Sequence, residues 1–219
     1  AGTFDPAAVV RAEANLRRTG AFTSAAIIEG DAAVGSTLPM TIAVVEQTPR
    51  RIGAGVEYST VSGLTLSGYW LHRNLLGGAE RFRVDGEITG LSGGTGGIDY
   101  SLGATYLRPA TFRQDTDFYI NTNIAQLDEP SFFERDASIE TGIIRRIYDD
   151  VILEDGLGYN VGEVSDDLGD RTYSLIYARL EGTIDRRNDA LDPTSGYYAN
   201  LLVAPFISLN GADSGARIY

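Results

Sequence analysis

The chain has no cysteine and only one histidine, one methionine and one tryptophan in 219 residues. Without cysteine there is no disulfide, no zinc–thiolate site and no thiol nucleophile. An oxidising compartment is permitted by that absence and not demonstrated by it. The sole histidine, His72, stands beside Arg73 at the end of an apolar stretch with no nucleophile in view, so a structural or interfacial role is favoured over catalysis. No run approaches the ~20 apolar residues that a membrane-spanning helix requires. A helical membrane protein is thereby excluded, but a membrane β-barrel is not, because each barrel strand shows only about ten residues of alternating polarity. Basic residues are scarce: 18 against 30 acidic ones leave a net charge of −12, the wrong sign for a nucleic-acid partner. The sequence opens at Ala1 without a basic-then-apolar leader, so any secretion signal is expected to have been removed or to lie outside it.

What is present is glycine and a change of period. The 26 glycines exceed the usual share of roughly 7% and suit tight turns and crowded barrel interiors better than helices. Residues 1–50 begin with a helix signal: Asp5 as N-cap, Pro6 at the first helical position and Gly20 as terminator. Val9, Ala12 and Leu16 share one face, while Arg11, Arg17 and Arg18 reach solvent. Two strands are expected next, at Phe22–Ile28 and Leu38–Glu46 around the turn-rich Gly30–Ser36, followed by the polar connection Gln47–Arg50.

From Arg51 the period is two. Phe82, Val84, Gly86 and Ile88 alternate with Arg81, Arg83, Asp85 and Glu87, and the same pattern runs through Ile98–Tyr106 and Ile176–Asp185. Further strands are expected at Arg51–Ser59, Leu64–Arg73, Asp117–Gln126, Asp136–Ile147, Val151–Glu163 and Tyr197–Ser208, about nine in all in an up-and-down series. Many runs reach ~10 residues, the bilayer-crossing length, where a soluble sandwich would use ~5–6. Tyr58, Trp70, Tyr106, Tyr159 and Tyr197 end apolar runs, as an interfacial aromatic girdle would. A half-wet soluble sheet gives similar alternation and is the competing reading. Loops are expected at Gly90–Gly97, Asp128–Phe133 and Ser165–Arg171 on one side, and at Asn74–Ala79, Pro109–Gln114, Tyr148–Asp150 and Asn188–Gly196 on the other. Nine strands cannot close a bacterial barrel, and residues up to Tyr219 read as loop, so the chain is expected to be a fragment or to borrow strands.

Four segments carry a family resemblance. Arg50–Thr60 (RRIGAGVEYST) resembles the first barrel strand of the Omp85 family, the bacterial surface antigen or D15 family, and Tyr69–Glu80 (YWLHRNLLGGAE) resembles its next hairpin. Asp185–Tyr197, with Asp192-Pro193-Thr194-Ser195-Gly196, is similar to its periplasmic turn. The Phe4-Asp5-Pro6 helix followed by Gly20-Ala21-Phe22 looks like the second half of a last POTRA (polypeptide-transport-associated) domain. The resemblance implies residues 1–50 as the end of a POTRA domain and 51–219 as the first half of an antiparallel barrel of about sixteen strands. The junction Val44–Arg51 and the Tyr58-Ser59-Thr60 strand are more similar to the TamA-like, autotransporter-assembly branch than to the BamA-like general assembly branch. The family's lid tripeptide, Arg-Gly-aromatic, does not occur.

The implied function is non-enzymatic: insertion or translocation of proteins at the cell outer membrane, with the POTRA part in the periplasm. Arg51, Ile52, Gly53, Ala54, Gly55, Val56, Glu57, Tyr58 and Ser59 would pair with a client strand by β-augmentation. Gly53 and Gly55 either leave that seam weak or relieve crowding at a bend. Asp185, Arg186, Arg187, Asp192, Pro193 and Gly196 would form the periplasmic turn, a charged turn that pins register. The partners implied are the lipid bilayer, unfolded outer-membrane or autotransporter clients and an inner-membrane-anchored TamB-like protein; no cofactor, metal or nucleic acid is implied. Gly93–Gly97 lacks the Lys-Ser/Thr of a phosphate loop and reads as a flexible outer loop. Asp166, Asp167 and Asp170 match no calcium-loop spacing and read as a solvated acidic loop. An ordinary pore, or the barrel of a patatin-like lipase fusion, remains as an alternative.

Overall fold

The computed structural model describes residues 4–30, 37–93, 96–211 and 214–219. Helix α1, Pro6–Arg18, starts where the sequence demands: Asp5 Oδ1 accepts the Ala7 N–H at 2.9 Å, and Pro6 needs no such partner. Gly20 leaves the helix at φ 71°. Strands β1, Phe22–Glu29, and β2, Met40–Glu46, pair antiparallel with Ala25 opposite Val44. Val9, Ala12 and Leu16 are half-buried, and Glu13 Oε1 ties the helix down by accepting the Ile27 N–H at 2.7 Å. Most of the turn expected at Gly30–Ser36 lies outside the described residues, as do two positions of the expected Gly93–Gly97 loop.

Ten further strands form one sheet in sequence order: β3 Arg50–Ser59, β4 Gly63–Arg73, β5 Arg81–Thr89, β6 Asp99–Arg108, β7 Thr116–Glu129, β8 Phe132–Tyr148, β9 Val151–Asp166, β10 Gly169–Asp185, β11 Tyr198–Ser208 and β12 Ser214–Ile218. Every neighbour pair is antiparallel, so the meander is up-and-down throughout. The fold is that of an antiparallel up-and-down transmembrane β-barrel, here with two open edges, β3 and β12. Two expectations need correction. Residues 214–218 are a strand and not loop, which makes ten strands where the sequence suggests about nine; Ser214-Gly215-Ala216-Arg217-Ile218 is too small and polar for its period to show, yet it pairs with Val203–Ile207. Asp128–Phe133 and Ser165–Arg171 are not loops but continuations of long strands, joined by the turns at Pro130–Ser131 and Asp167–Leu168.

The reason for the second correction is that both faces are polar there. Arg135 on β8 bonds Gln126 Oε1 at 2.8 Å and pairs with Glu163 at 3.4 Å, on the same face that is apolar farther down. Once both faces are wetted no hydrophobic alternation remains, and polar cross-strand pairs hold the ladder. Below that level one face is apolar and uncovered: Ile52, Leu102, Ile124, Ile139, Leu157, Leu180 and Leu201 all lie open. No second sheet or helix packs over it among the described residues, so the soluble-sandwich reading fails for lack of a facing layer.

The opposite face is polar and is fitted by tyrosines lying on glycines. A Cβ on Gly142 or Gly156 would meet the Tyr119 hydroxyl at 2.7 or 2.5 Å. Tyr119 itself is buried, and its Oη donates to Glu140 at 2.9 Å. Tyr173 donates to Glu134 at 3.0 Å from over Gly162. Arg146–Asp117 at 3.0 Å and Arg83–Asp85 at 3.0 Å add ion pairs to this inner face.

Candidate functional site

Strand β3 occupies one edge of the sheet and pairs only with β4, from Arg50 opposite His72 to Ser59 opposite Gly63, without a bulge. In an antiparallel ladder alternate pairs exchange both backbone bonds. The Arg73 N–H donates to the Pro49 carbonyl at 2.7 Å, which marks the 49/73 pair as a bonded one. By that alternation Arg51, Gly53, Gly55, Glu57 and Ser59 direct their backbone groups to β4. Arg50, Ile52, Ala54, Val56 and Tyr58 turn theirs to the free edge, and these are also the residues on the apolar face, where Ile52 and Val56 are 77% and 74% exposed. The edge therefore offers a row of unpaired N–H and C=O groups flanked by aliphatic side chains.

The expected pairing residues Arg51–Ser59 thus lie together on one open strand. The two glycines owe their identity to the inner face: a Cβ on Gly53 would enter the Tyr69 ring, and one on Gly55 would reach Ser67 Oγ at 2.7 Å. Arg83 stacks on the same Tyr69 ring, 4.4 Å from its centroid. Crowding accounts for the glycines; seam weakness is not needed to explain them.

The αββ unit sits at the end of the sheet where β3 starts. Gln47 N–H donates to Ala21 at 2.8 Å, Arg73 Nη1 to Thr48 O at 3.1 Å, and Arg18 Nη2 to Gln114 O at 3.4 Å. The turns on this rim are built to a common plan in which a carboxylate or amide gathers backbone N–H groups. Glu80, 3% exposed, accepts from Gly78 at 2.9 Å and Leu76 at 3.3 Å, with Arg108 at 3.9 Å. Burial alone would raise its pKa; the N–H groups of Glu80, Gly78 and Leu76 and the Arg108 charge outweigh it and hold the carboxyl below its ordinary value. Asp117 accepts the Ala110 N–H at 3.2 Å in the next turn.

At the turn between β10 and β11, Asp185, the last residue of β10, pairs with Arg187 at 2.7 Å, and the Arg187 guanidinium lies 5.0 Å from the Tyr198 ring centroid. Hydrogen bonding from Arg187 lowers the Asp185 pKa to about 2. Arg186 pairs with Asp150 of the neighbouring turn. Asp189 accepts the N–H groups of Leu191 and Asp192, Asn188 those of Thr194 and Ser195, and Gly196 closes the turn at φ 96° beyond Pro193. At the other rim Asp166 gives both oxygens to Arg171 and Asp170 bonds Ser165, leaving these acids engaged with protein partners.

Of the expected girdle residues, Tyr58, Trp70 and Tyr106 lie near strand ends on the apolar face, and Tyr197 immediately precedes β11. Tyr159 is a correction: β9 extends from Val151 to Asp166, so this residue is mid-strand, its hydroxyl accepting from Ser174 at 2.9 Å. Two further rings stand beside Trp70: His72, for which the sequence favours a structural or interfacial role, at 5.8 Å, and Phe82, edge-on to it at 6.0 Å. The signal for Phe82 was its apolar parity on β5, which sets it opposite His72, two residues along from Trp70 on β4.

The class defined by this architecture is an antiparallel up-and-down transmembrane β-barrel with a small αββ unit before its first strand. No protein-family model and no curated protein matches the sequence. Among solved structures the chain is similar to BamA from Haemophilus ducreyi, in a crystal structure lacking POTRA domains 1–3, with a TM-score of 0.67 at 17% identity. The match covers 94% of this chain and 43% of that one, so the likeness is one of fold over less than half of the neighbour's length.

Proposed function

We propose that the chain forms the first strands of an outer-membrane assembly or translocation factor, in which β3 receives a client strand by β-augmentation. The observation that supports this reading is the place of β3 as the first strand of the sheet, directly after the αββ unit, with the backbone groups of Arg50, Ile52, Ala54, Val56 and Tyr58 directed away from β4 beside an apolar face. A free edge within lipid costs several kcal/mol per unsatisfied group, roughly, so β3 is to be covered by another strand, a closing strand of the barrel or a client strand that displaces it. In this reading α1, β1 and β2 are the end of a POTRA domain in the periplasm, the apolar face meets the outer-membrane bilayer, and no catalytic step is involved. Clients are unfolded outer-membrane or autotransporter proteins. The junction Val44–Arg51 supports the TamA-like branch, with a TamB-like inner-membrane partner; the BamA-like branch accords equally with the fold.

A proline scan tests it. Proline at Ala54 removes an edge-directed N–H and leaves the β3–β4 ladder intact, whereas proline at Gly55 breaks the ladder itself. The full-length protein with Ala54→Pro should still reach the outer membrane and migrate heat-modifiably, while client assembly falls. Undiminished client delivery by a correctly inserted Ala54→Pro protein would refute the pairing role of this edge.

A further inference from the structure

We infer that Tyr69 on β4 is the positioning residue of the first strand: seated on Gly53, it fixes the register of β3 and with it the height at which an incoming strand pairs with the β3 edge. The inference rests on the pairing role proposed above for that edge. β3 is held from one side only, by β4, whereas every strand from β4 to β11 has a neighbour on both sides. A strand that exchanges partners along one flank has to keep its place on the other. The outward face of the β3–β4 ladder supplies no such hold. Ile52 and Val56 oppose Trp70 and Leu66 through interchangeable apolar contacts, and Ala54 opposes Gly68, where an added Cβ would find nothing nearer than 3.5 Å.

The inward face is different. There Tyr69 stands directly opposite Gly53, and a Cβ on Gly53 would meet Cζ of the ring at 2.8 Å. Arg83 stacks 4.4 Å from the centroid of that ring and is itself held by Asp85 at 3.0 Å, which backs the ring in place. Two residues on, Ser67 opposes Gly55, whose Cβ would meet the Ser67 Oγ at 2.7 Å. Side chains alternate between faces, so a one-residue slip would turn Ile52 and Val56 into the polar interior and Arg51 and Glu57 into lipid. The competing registers are therefore two residues away. One of them sets Arg51 under the Tyr69 ring, which leaves no room for a Cβ. The other keeps a glycine, Gly55, under the ring but sets Glu57 on Ser67 and Arg51 against Arg73, two like charges directly opposed. Tyr69 closes the first slip; Ser67 and the arginine charges close the second. An overpacked contact shifts such an equilibrium by roughly tenfold to a hundredfold. Each slip would move β3 by about 6.6 Å along the strand, roughly 5 Å in height at a tilt of ~35–45°, and an incoming strand would ride with it. Against an apolar band about 25 Å tall, that is a misplacement by about a fifth.

Disulfide trapping in the full-length protein reads the register directly. Ile52 and Trp70 form a non-hydrogen-bonded pair, with Cα atoms about 4.5 Å apart and within disulfide reach, and this chain has no cysteine of its own. Ile52→Cys is combined in turn with Trp70→Cys, Gly68→Cys or His72→Cys, and heat-modifiable migration scores insertion. On the wild-type background, trapping between positions 52 and 70 should exceed the other two pairs by roughly tenfold or more. On a Tyr69→Ala background, trapping between 52 and 68 should come within about threefold of it, whereas Tyr69→Phe, which keeps the ring, should trap as the wild type does. Gly53→Ala should shift trapping the other way, to 52 and 72, because Gly55 can still lie under the ring; it decides if Tyr69→Ala does not insert. A purely structural role for Tyr69 would lower the yield at 52 and 70 without creating a new pair. For the incoming strand, the protein with Ala54→Cys is mixed with a urea-unfolded eight-stranded outer-membrane barrel bearing single cysteines along each end strand. One client position should trap on the wild type, and a second, two residues away, on Tyr69→Ala. No client trapping while the wild-type register is intact refutes the pairing role of the edge, and the control of height with it. Trapping confined to 52 and 70 on both the Tyr69→Ala and Gly53→Ala backgrounds overturns the lock, and a slipped register that leaves the client position unmoved overturns its control of height.

Discussion

Replacing Glu80 by glutamine probes how the rim turns are held. The turn after β4 contains two non-glycine residues in the left-handed region, Asn74 at φ 60° and Ala79 at φ 63°. Such a conformation costs an alanine about 1–2 kcal/mol. What holds it is local: Asn74 Oδ1 accepts the Ala79 N–H at 2.9 Å, and the buried Glu80 carboxylate accepts from Gly78 and Leu76. Hydrogen bonds to a charged acceptor contribute about 1.5–3 kcal/mol each and are not additive here. Glu80→Gln keeps one acceptor oxygen and loses the charge, so a destabilisation of about 1–2 kcal/mol is expected, and about 3 kcal/mol for Glu80→Ala, which strands the N–H groups. Trp70 is the only tryptophan of this chain and sits on the strand that enters the turn, so its fluorescence in urea unfolding reports the transition. The folded pKa of Glu80 is lowered, so its stabilisation is fully present above the unfolded value of ~4.3 and is lost as pH falls through the lower folded value. The wild-type-minus-Gln difference should be flat above about pH 5 and shrink in acid. A difference that persists unchanged in acid, or is nil at neutrality, would falsify the assignment of the turn's stability to the ionised carboxylate.

Further outcomes follow from the same geometry. Gly156→Ala forces the Tyr119 hydroxyl off Glu140 and should destabilise by about 2 kcal/mol, whereas in a Tyr119→Ala background the same change should be near neutral in a double-mutant cycle. Ala110→Gly relieves a residue at φ 51° and should stabilise by about 0.5–1 kcal/mol in the same denaturation assay; a loss of stability would show that the turn is not strained there. Carbon-detected NMR should find Asp185 titrating at about 2, and Arg187→Gln should move it up toward the ordinary carboxylate range, because hydrogen bonds from Arg187 are the leading cause of the depression.

Much of the sheet was legible because period two survives wherever one face meets something apolar. Arg81–Thr89 shows this best, its strand bounds coinciding with the alternating run. Legibility failed where that contrast vanished: at Asp128–Phe133 and Ser165–Arg171, where both faces are wet, and at Ser214–Ile218, where the residues are too small to declare a side. Tyr159 misled because a tyrosine at the end of an apolar run looks the same whether or not the strand continues past it. For the candidate edge, the identity of β3 came from its likeness to a family strand, and its free flank only from the pairing order.

By itself the amino-acid order determined that most of this chain must be strand, that residues 1–50 are built differently from the rest, and that no long apolar helix is available. These are local properties, set by which side chains recur every second position and by where Asp, Pro and Gly stand. Tertiary structure alone decided that no described element covers the apolar face, that Gly53 makes room for the Tyr69 ring, and that Phe82 lies edge-on to Trp70. Each of these depends on register between strands, a relation among residues distant in sequence that no single strand's pattern encodes.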